Sequence, residues 1–115
     1  VAVDLRPSQA LKLLHDFNFE MVRDDHDLSA RQITILLTIY LEPPPHTVRG
    51  LAAKLNVTKP VVTRALDTMG RMEILQRRRD PADRRNVLVH RTVKGALYVE
   101  RLADLMLAKA KELPL

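Results

Sequence analysis

Between Thr47 and Arg91 the hydrophobic period of this 115-residue chain changes from helical to extended, and that change limits the possible fold more than any other feature. Thr47 stands as a helix cap before Val48, Leu51, Ala52 and Leu55, which share one helical face, and Asn56 tolerates the left-handed conformation that ends such a helix. Thr58 is placed to cap the next helix, with Pro60 in its first turn, where a missing N–H costs nothing. Val62, Ala65, Leu66, Met69 and Met72 form the apolar stripe of this helix, so Pro60, Thr63, Arg64, Asp67 and Arg71 fall on the opposite, polar face. Two helices thus meet across Asn56-Val57-Thr58, and the second, over about 58–72, has the shape of a recognition helix. Ile74 to Arg79 and Asn86 to Arg91 are rich in β-branched residues and arginine. They flank the turn-prone Asp80-Pro81-Ala82-Asp83-Arg84-Arg85, which predicts a hairpin, or wing, over about 74–91.

The flanking segments read as helices. Ser8 is expected to cap a helix over about 8–23 in which Ala10, Leu14, Phe17 and Met21 recur at helical spacing. Ser29 with Gln32 makes a capping-box pattern ahead of Ile33, Leu36, Leu37, Tyr40 and Leu41, predicting a helix over about 30–41 that Pro43, Pro44 and Pro45 stop. Thr92 caps a last helix, about 92–113, with a stripe of Gly95, Val99, Leu102, Ala103, Met106, Ala110 and Leu113. Leu97, Leu105 and Leu107 fall outside that stripe, and Phe19 lies on the far side of the first helix from Leu14. The terminal helices therefore carry more apolar surface than one small domain can bury, and Leu11, Phe19, Leu97, Leu105 and Leu107 are expected to form a subunit interface. The whole chain, 1–115, reads as one domain, mainly α with a small β-hairpin. This is a winged helix-turn-helix with N- and C-terminal dimerisation helices and a DNA-binding core over about 47–91.

Charge is segregated in a way that supports this reading. Residues 1–42 carry 4 basic and 7 acidic side chains, residues 43–95 carry 12 and 4, and residues 96–115 carry 3 of each. A central segment of +8 is the footprint expected of a nucleic-acid surface, whereas a merely soluble protein has no need to concentrate its charge. The hairpin arginines Arg77, Arg78, Arg79, Arg84, Arg85 and Arg91 exceed what a hairpin needs to fold, and contacts to phosphates explain them. An aromatic content of 3% with no Trp disfavours a single-strand binder built on stacked bases.

Enzyme chemistry finds nothing to work with. There is no cysteine, the only serines are Ser8 and Ser29 at expected caps, and no glycine-rich phosphate loop occurs. The cluster Asp24, Asp25, His26 and Asp27 offers hard metal ligands but reads as a solvated inter-helix loop, so neither a metal nor a cofactor is expected. His15, His46 and His90 are dispersed. No apolar run approaches the roughly 18 residues of a membrane span and no secretory signal is visible, which points to the cytoplasm.

The order of elements and several short motifs together resemble the MarR family of bacterial transcription regulators, over about Leu28 to Gly95. The matching residues are Leu28, Ser29 and Gln32; Leu51 and Ala52; Thr63 and Arg64; the wing signature Asp80-Pro-Ala-Asp83-Arg84-Arg85; and Thr92-x-Lys94-Gly95. The resemblance implies a homodimer, most often a repressor, whose recognition helices enter successive major grooves of a palindromic operator while each wing places an arginine in the adjacent minor groove. Thr58, Pro60, Thr63 and Arg64 match recognition-helix positions, Arg64 being where the family commonly has a DNA-contacting arginine. Asp83 matches the aspartate that braces the wing and Arg85 the arginine that enters the groove. With Lys59, Arg71, Arg77, Arg78, Arg79 and Arg84 these complete the expected DNA-binding set. Such a regulator would associate with the bacterial nucleoid through DNA, and many relatives take a small-molecule effector, which nothing in this sequence identifies.

Three departures from the family pattern carry expectations of their own. Glu73 stands where a glycine is usual between recognition helix and wing; a left-handed backbone would strain it, so a differently built junction is expected. Arg91 replaces an apolar residue just before Thr92, so the wing is expected to pack differently. Only about 23 residues follow Thr92, fewer than in most members, so dimerisation is expected to be reduced, to rely on the first helix or to be absent. Two other functions fit the same fold: a winged-helix module that binds a protein partner, and a DNA-packaging protein that does not read sequence. The basic segment with Thr63, Arg64 and Arg85 argues against the first, and discrimination between sequences at moderate salt would exclude the second.

Overall fold

The computed structural model describes residues 4–24 and 27–114, so Asp25 and His26 of the acidic cluster lie outside the described residues. Five helices and one hairpin follow in the order α1 (Pro7–Arg23), α2 (Ala30–Leu41), α3 (Val48–Leu55), α4 (Lys59–Arg71), β1 (Leu75–Arg79), β2 (Val87–Arg91) and α5 (Val93–Lys111). The chain divides into two compact units, residues 29–99 and residues 1–28 with 100–115, and α5 contributes to both.

The unit of residues 29–99 contains α2, α3, α4 and the wing. At the start of α2 the Ser29 hydroxyl accepts the Gln32 N–H at 3.1 Å and the Gln32 side chain accepts the Ser29 N–H at 2.8 Å, the reciprocal cap expected from sequence. The buried face of α2 is Ile35, Leu36 and Ile39, whereas Leu41 is exposed. The sequence stripe through Ile33 and Leu41 was therefore misplaced: a helix that is apolar almost all round gives periodicity little to select. Ile35, Leu36 and Ile39 are buried together with Leu51, Val62, Leu66, Met69, Ile74 and Val89, a core drawn from α2, α3, α4, β2 and the residue before β1. The strands pair antiparallel with Leu75 opposite Arg91 and Arg79 opposite Val87. Thr47 adds a single bridge to Leu88, and the Val89 N–H donates to His46 O at 2.8 Å. That third contribution to the sheet is too short to leave a sequence pattern.

One junction ties α2, the end of α4, β2 and α5 together. The Tyr40 hydroxyl accepts the Thr92 N–H at 3.1 Å and donates to Ile74 O at 2.9 Å. The Thr92 hydroxyl donates to Glu73 O at 2.7 Å and accepts the Gly95 N–H at 2.9 Å, capping α5. A Cβ on Gly95 would overlap both the Tyr40 hydroxyl and Ile74 O, so only glycine fits there. Glu73 takes φ 62, the left-handed conformation after all, while its N–H bonds Gly70 O and the Ile74 N–H bonds Met69 O. The junction thus keeps the usual conformation without the usual glycine, and the helix-end bonds hold the strain.

In the other unit α1 begins at Pro7, ahead of the start expected from a cap at Ser8. Pro7 occupies the first position, Arg6 is the cap, and the Arg6 N–H donates to the Gln9 side chain at 3.0 Å; Ser8 lies inside the first turn and caps nothing. Of the expected stripe, Met21 is buried and Phe17 half-buried, but Ala10 and Leu14 are exposed. Gln9 donates to Pro114 O at 2.6 Å and Lys109 reaches Glu20 at 3.7 Å. Leu11, Phe19 and Leu107 are 50–68% exposed and Leu105 is half-buried, and Leu97, which belongs to the unit of residues 29–99, is 56% exposed.

Candidate nucleic-acid interface

The helix pair of the unit 29–99 is set by its two ends. The Thr47 hydroxyl accepts the Gly50 N–H at 2.9 Å to start α3, and Asn56, at φ 55 and ψ 47, ends it in the left-handed conformation. The Val57 N–H returns to Ala52 O at 3.0 Å, which closes the turn and launches α4 at once. Thr58 occupies the cap position, yet its hydroxyl makes no capping bond, contrary to the sequence expectation; Pro60 in the first turn lowers the need for one. Val62, Ala65, Leu66 and Met69 bury one face of α4. Thr58, Lys59, Pro60, Arg64 and Arg71 are exposed and Thr63 is half-exposed, so the polar face expected from the wheel is the solvent face.

The wing turn is held by its own side chains. Asp80 accepts the Ala82 N–H at 2.9 Å, the Asp80 N–H donates to Asn86 O at 3.0 Å, and Arg79 donates to Arg84 O at 2.8 Å. Asp83 accepts Arg85 twice through the guanidinium, at 3.1 and 3.0 Å, and once through the Arg85 N–H at 3.1 Å. The side-chain bond, then the backbone bond and the charge of Arg49, hold the Asp83 carboxyl below the usual carboxylate range, and the same pair raises Arg85. Asp83 therefore orients Arg85, whose side chain remains 80% exposed.

The other arginines divide sharply. Arg84 projects into solvent, whereas Arg77 donates to Asp67 of α4 at 2.6 Å and fastens β1 to that helix. Arg78 and Arg71 are exposed and make only long contacts, to Gln76 at 3.5 Å and Thr68 at 3.4 Å. Arg91 does not belong with the phosphate-contacting set: it donates to Ile39 O at 2.8 Å and Glu42 O at 3.0 Å and lies over the Tyr40 ring. An arginine capping the last carbonyls of α2 replaces the apolar residue expected there. Two basic residues escaped the sequence reading. Arg49, exposed on α3, acts on Asp83 at the wing, and Arg31, in the net acidic first third of the chain, is exposed on α2. The only signal for Arg49 was its place two residues after a cap within the basic segment.

Among the described residues no group of His, Cys, Asp and Glu could hold a metal ion, and no helix is long and apolar enough to cross a membrane.

The sequence profile of the MarR family matches residues 28–87, just over half of the chain. Among solved structures, a point mutant of MepR from S. aureus is similar at 18% identity, with a TM-score of 0.77 over 94% of this chain and 81% of that one. The S. aureus MepR–DNA complex is similar at 22% identity, with a TM-score of 0.66 over 91% and 77% of the two chains. Transcriptional regulator Tm0710 from Thermotoga maritima is 26% identical, with a TM-score of 0.67 over 90% of this chain and 68% of that one. No curated protein sequence matches the chain.

Proposed function

Because the chain belongs to the MarR family, a family of winged-helix DNA-binding transcription regulators and not of enzymes, we propose that it is a sequence-specific repressor acting as a homodimer on a palindromic operator. The observation that carries this reading is the solvent face of α4. Thr58, Lys59, Pro60, Thr63 and Arg64 stand there without internal ion pairs among the described residues, on a helix whose opposite face is wholly buried. Arg64 reads base edges from the major groove, where a guanidinium can take guanine O6 and N7 together. Arg85, aimed by Asp83, enters the adjoining minor groove, and Arg71, Arg78, Arg79 and Arg84 attract the backbone. Arg77 adds charge to the same surface while it braces β1 against α4.

The subunit contact in this reading is made by the apolar side chains left in solvent on α1 and α5, namely Leu11, Phe19, Leu97, Leu105 and Leu107, of which Leu105 contributes least. The protein then works in the bacterial cytoplasm, associated with the nucleoid through DNA, as one regulator formed by the whole chain around a DNA-binding core of residues 47–91.

Selection of genomic fragments by the purified protein at about 0.15 M salt, followed by sequencing, tests this directly, because nonspecific phosphate binding is already weakened there. An inverted repeat with half-sites about one helical turn apart is the expected result. Bound fragments sharing no motif would convert the reading to DNA packaging, and the absence of bound DNA would convert it to a protein-binding module.

A further inference from the structure

A shallow cavity of about 200 Å³ lies between the first turn of α2 and the solvent side of α4, lined among others by Ser29, Arg31, Gln32, Val61, Arg64 and Thr68. Its two charged residues are both arginines, one from each helix, and no carboxylate lines it. Neither guanidinium has a hydrogen bond or ion pair among the described residues, although Arg77, Arg85 and Arg91 all have close partners. Two exposed cations lining one concavity, with no carboxylate beside them, give it a positive potential that favours an anion. The end of α2 is not what attracts that anion, since Ser29 and Gln32 already satisfy each other in the capping box. The attraction resides in the side chains.

We propose that Arg31 is a DNA-backbone contact, holding a phosphate of the strand that borders the major groove entered by α4. This inference rests on the DNA-binding reading above. Arg64 stands on α4, the helix that enters the groove in that reading, whereas Arg31 lines the same cavity from the first turn of α2, one helix further from the base edges. The group that meets a cation at the rim of a groove is a phosphate, not a base edge. Arg31 therefore sets how firmly and in what register α4 is seated and carries no sequence preference of its own.

Anisotropy titrations of a labelled duplex from the selected pool and a scrambled duplex of equal length, between about 50 and 200 mM salt, test the assignment. Arg31→Ala is expected to weaken both duplexes by the same factor, roughly three- to tenfold, and to make the salt dependence shallower by about one ion. Arg31→Lys keeps the charge and is expected to keep the slope. An unchanged melting temperature of both variants shows that the loss is not one of folding. Equal affinity and slope for wild type and Arg31→Ala would overturn the inference alone, as would a loss confined to the selected duplex. Failure of the wild type to bind either duplex would instead overturn the DNA-binding reading, and this inference with it.

Discussion

The root and the tip of the wing are built from the same residue type and use it in opposite ways. At the root, Arg91 gives its guanidinium to the carbonyls that end α2, and Arg77 gives its own to Asp67 of α4. At the tip, Arg84 points into solvent and Arg85 is held by Asp83 of the same turn, with most of its side chain exposed. What separates the two groups is the company within reach. A root arginine meets orphan carbonyls and a carboxylate presented by helices; a tip arginine meets only its own loop. Charge counted along a sequence weighs both groups equally, but only the second stays open to a phosphate: Arg84 points into solvent, and Arg85, although paired with Asp83, keeps most of its side chain exposed.

The root should fail first and most severely. Gly95→Ala places a methyl group into the Tyr40 hydroxyl and Ile74 O, so either α5 moves or the Tyr40 bonds to Ile74 and Thr92 break. A loss of about 2–4 kcal/mol in urea unfolding is expected. A loss below about 0.5 kcal/mol would show that the junction is softer than its geometry.

The contrast between root and tip is sharpened by one arginine from each. Arg91→Ala is expected to cost about 1–2 kcal/mol of stability, because the carbonyls of Ile39 and Glu42 lose a charged donor. The DNA affinity of its folded fraction should change little. Arg85→Ala is expected to do the reverse, leaving the unfolding midpoint in place while DNA affinity falls roughly tenfold. Measuring both quantities for both variants is decisive, since two arginines with the same pattern of losses would dissolve the distinction.

How much of this was legible in the sequence depends on whether a feature is local. Caps are local, so Ser29 with Gln32, Thr47 and Asn56 marked the ends of α2 and α3 correctly. The boundaries of the wing followed from the β-branched segments and the turn-prone run between them, and the buried face of α4 from period. The buried face of α2 did not, because its nearly uniform apolar surface has no preferred side. The role of Arg91 was invisible for a different reason: its partners Ile39 and Glu42 lie 52 and 49 positions away, and no local rule links a strand end to a helix end. Arg31 was hidden by averaging, since one cation among four in a stretch with seven acidic side chains vanishes from a segment sum. Of the candidate site, the residues on α4 and at the wing tip could be read directly, and the sorting of arginines into braces and contacts could not.

A smaller effect of opposite sign is expected beside the root. Glu73 holds φ 62, a conformation that costs an ordinary residue about 1–2 kcal/mol and glycine little. Glycine loses more chain entropy on folding, roughly 0.5–1 kcal/mol, so Glu73→Gly should stabilise by about 0.5–1 kcal/mol in urea unfolding. The bond from the Thr92 hydroxyl uses the backbone carbonyl of residue 73 and survives the substitution. A destabilised variant would mean that the Glu73 side chain does more at the junction than its contacts show.

The finest difference between the two ends of the wing is their response to acid. Asp83 is held below the usual carboxylate range chiefly by the Arg85 side chain, then by the Arg85 N–H, with the charge of Arg49 adding to it. A carboxylate with a lowered folded value contributes its bond fully above its unfolded value and loses it as pH falls through the lowered one. The tip should therefore stay closed at neutral pH and open only in strong acid, releasing the Arg85 amide as well as its guanidinium. The root has no such weakness at Arg91, whose acceptors are backbone carbonyls and do not titrate. A carbon-detected NMR titration should place the Asp83 midpoint below that of an unstructured aspartate, and Arg85→Ala should raise it most of the way back. Arg49→Ala should raise it less, because a distant charge acts more weakly than a direct bond. If Arg49→Ala had the larger effect, the wing tip would be held by α3 and not by its own turn, and the division between a braced root and a self-contained tip would have to be redrawn.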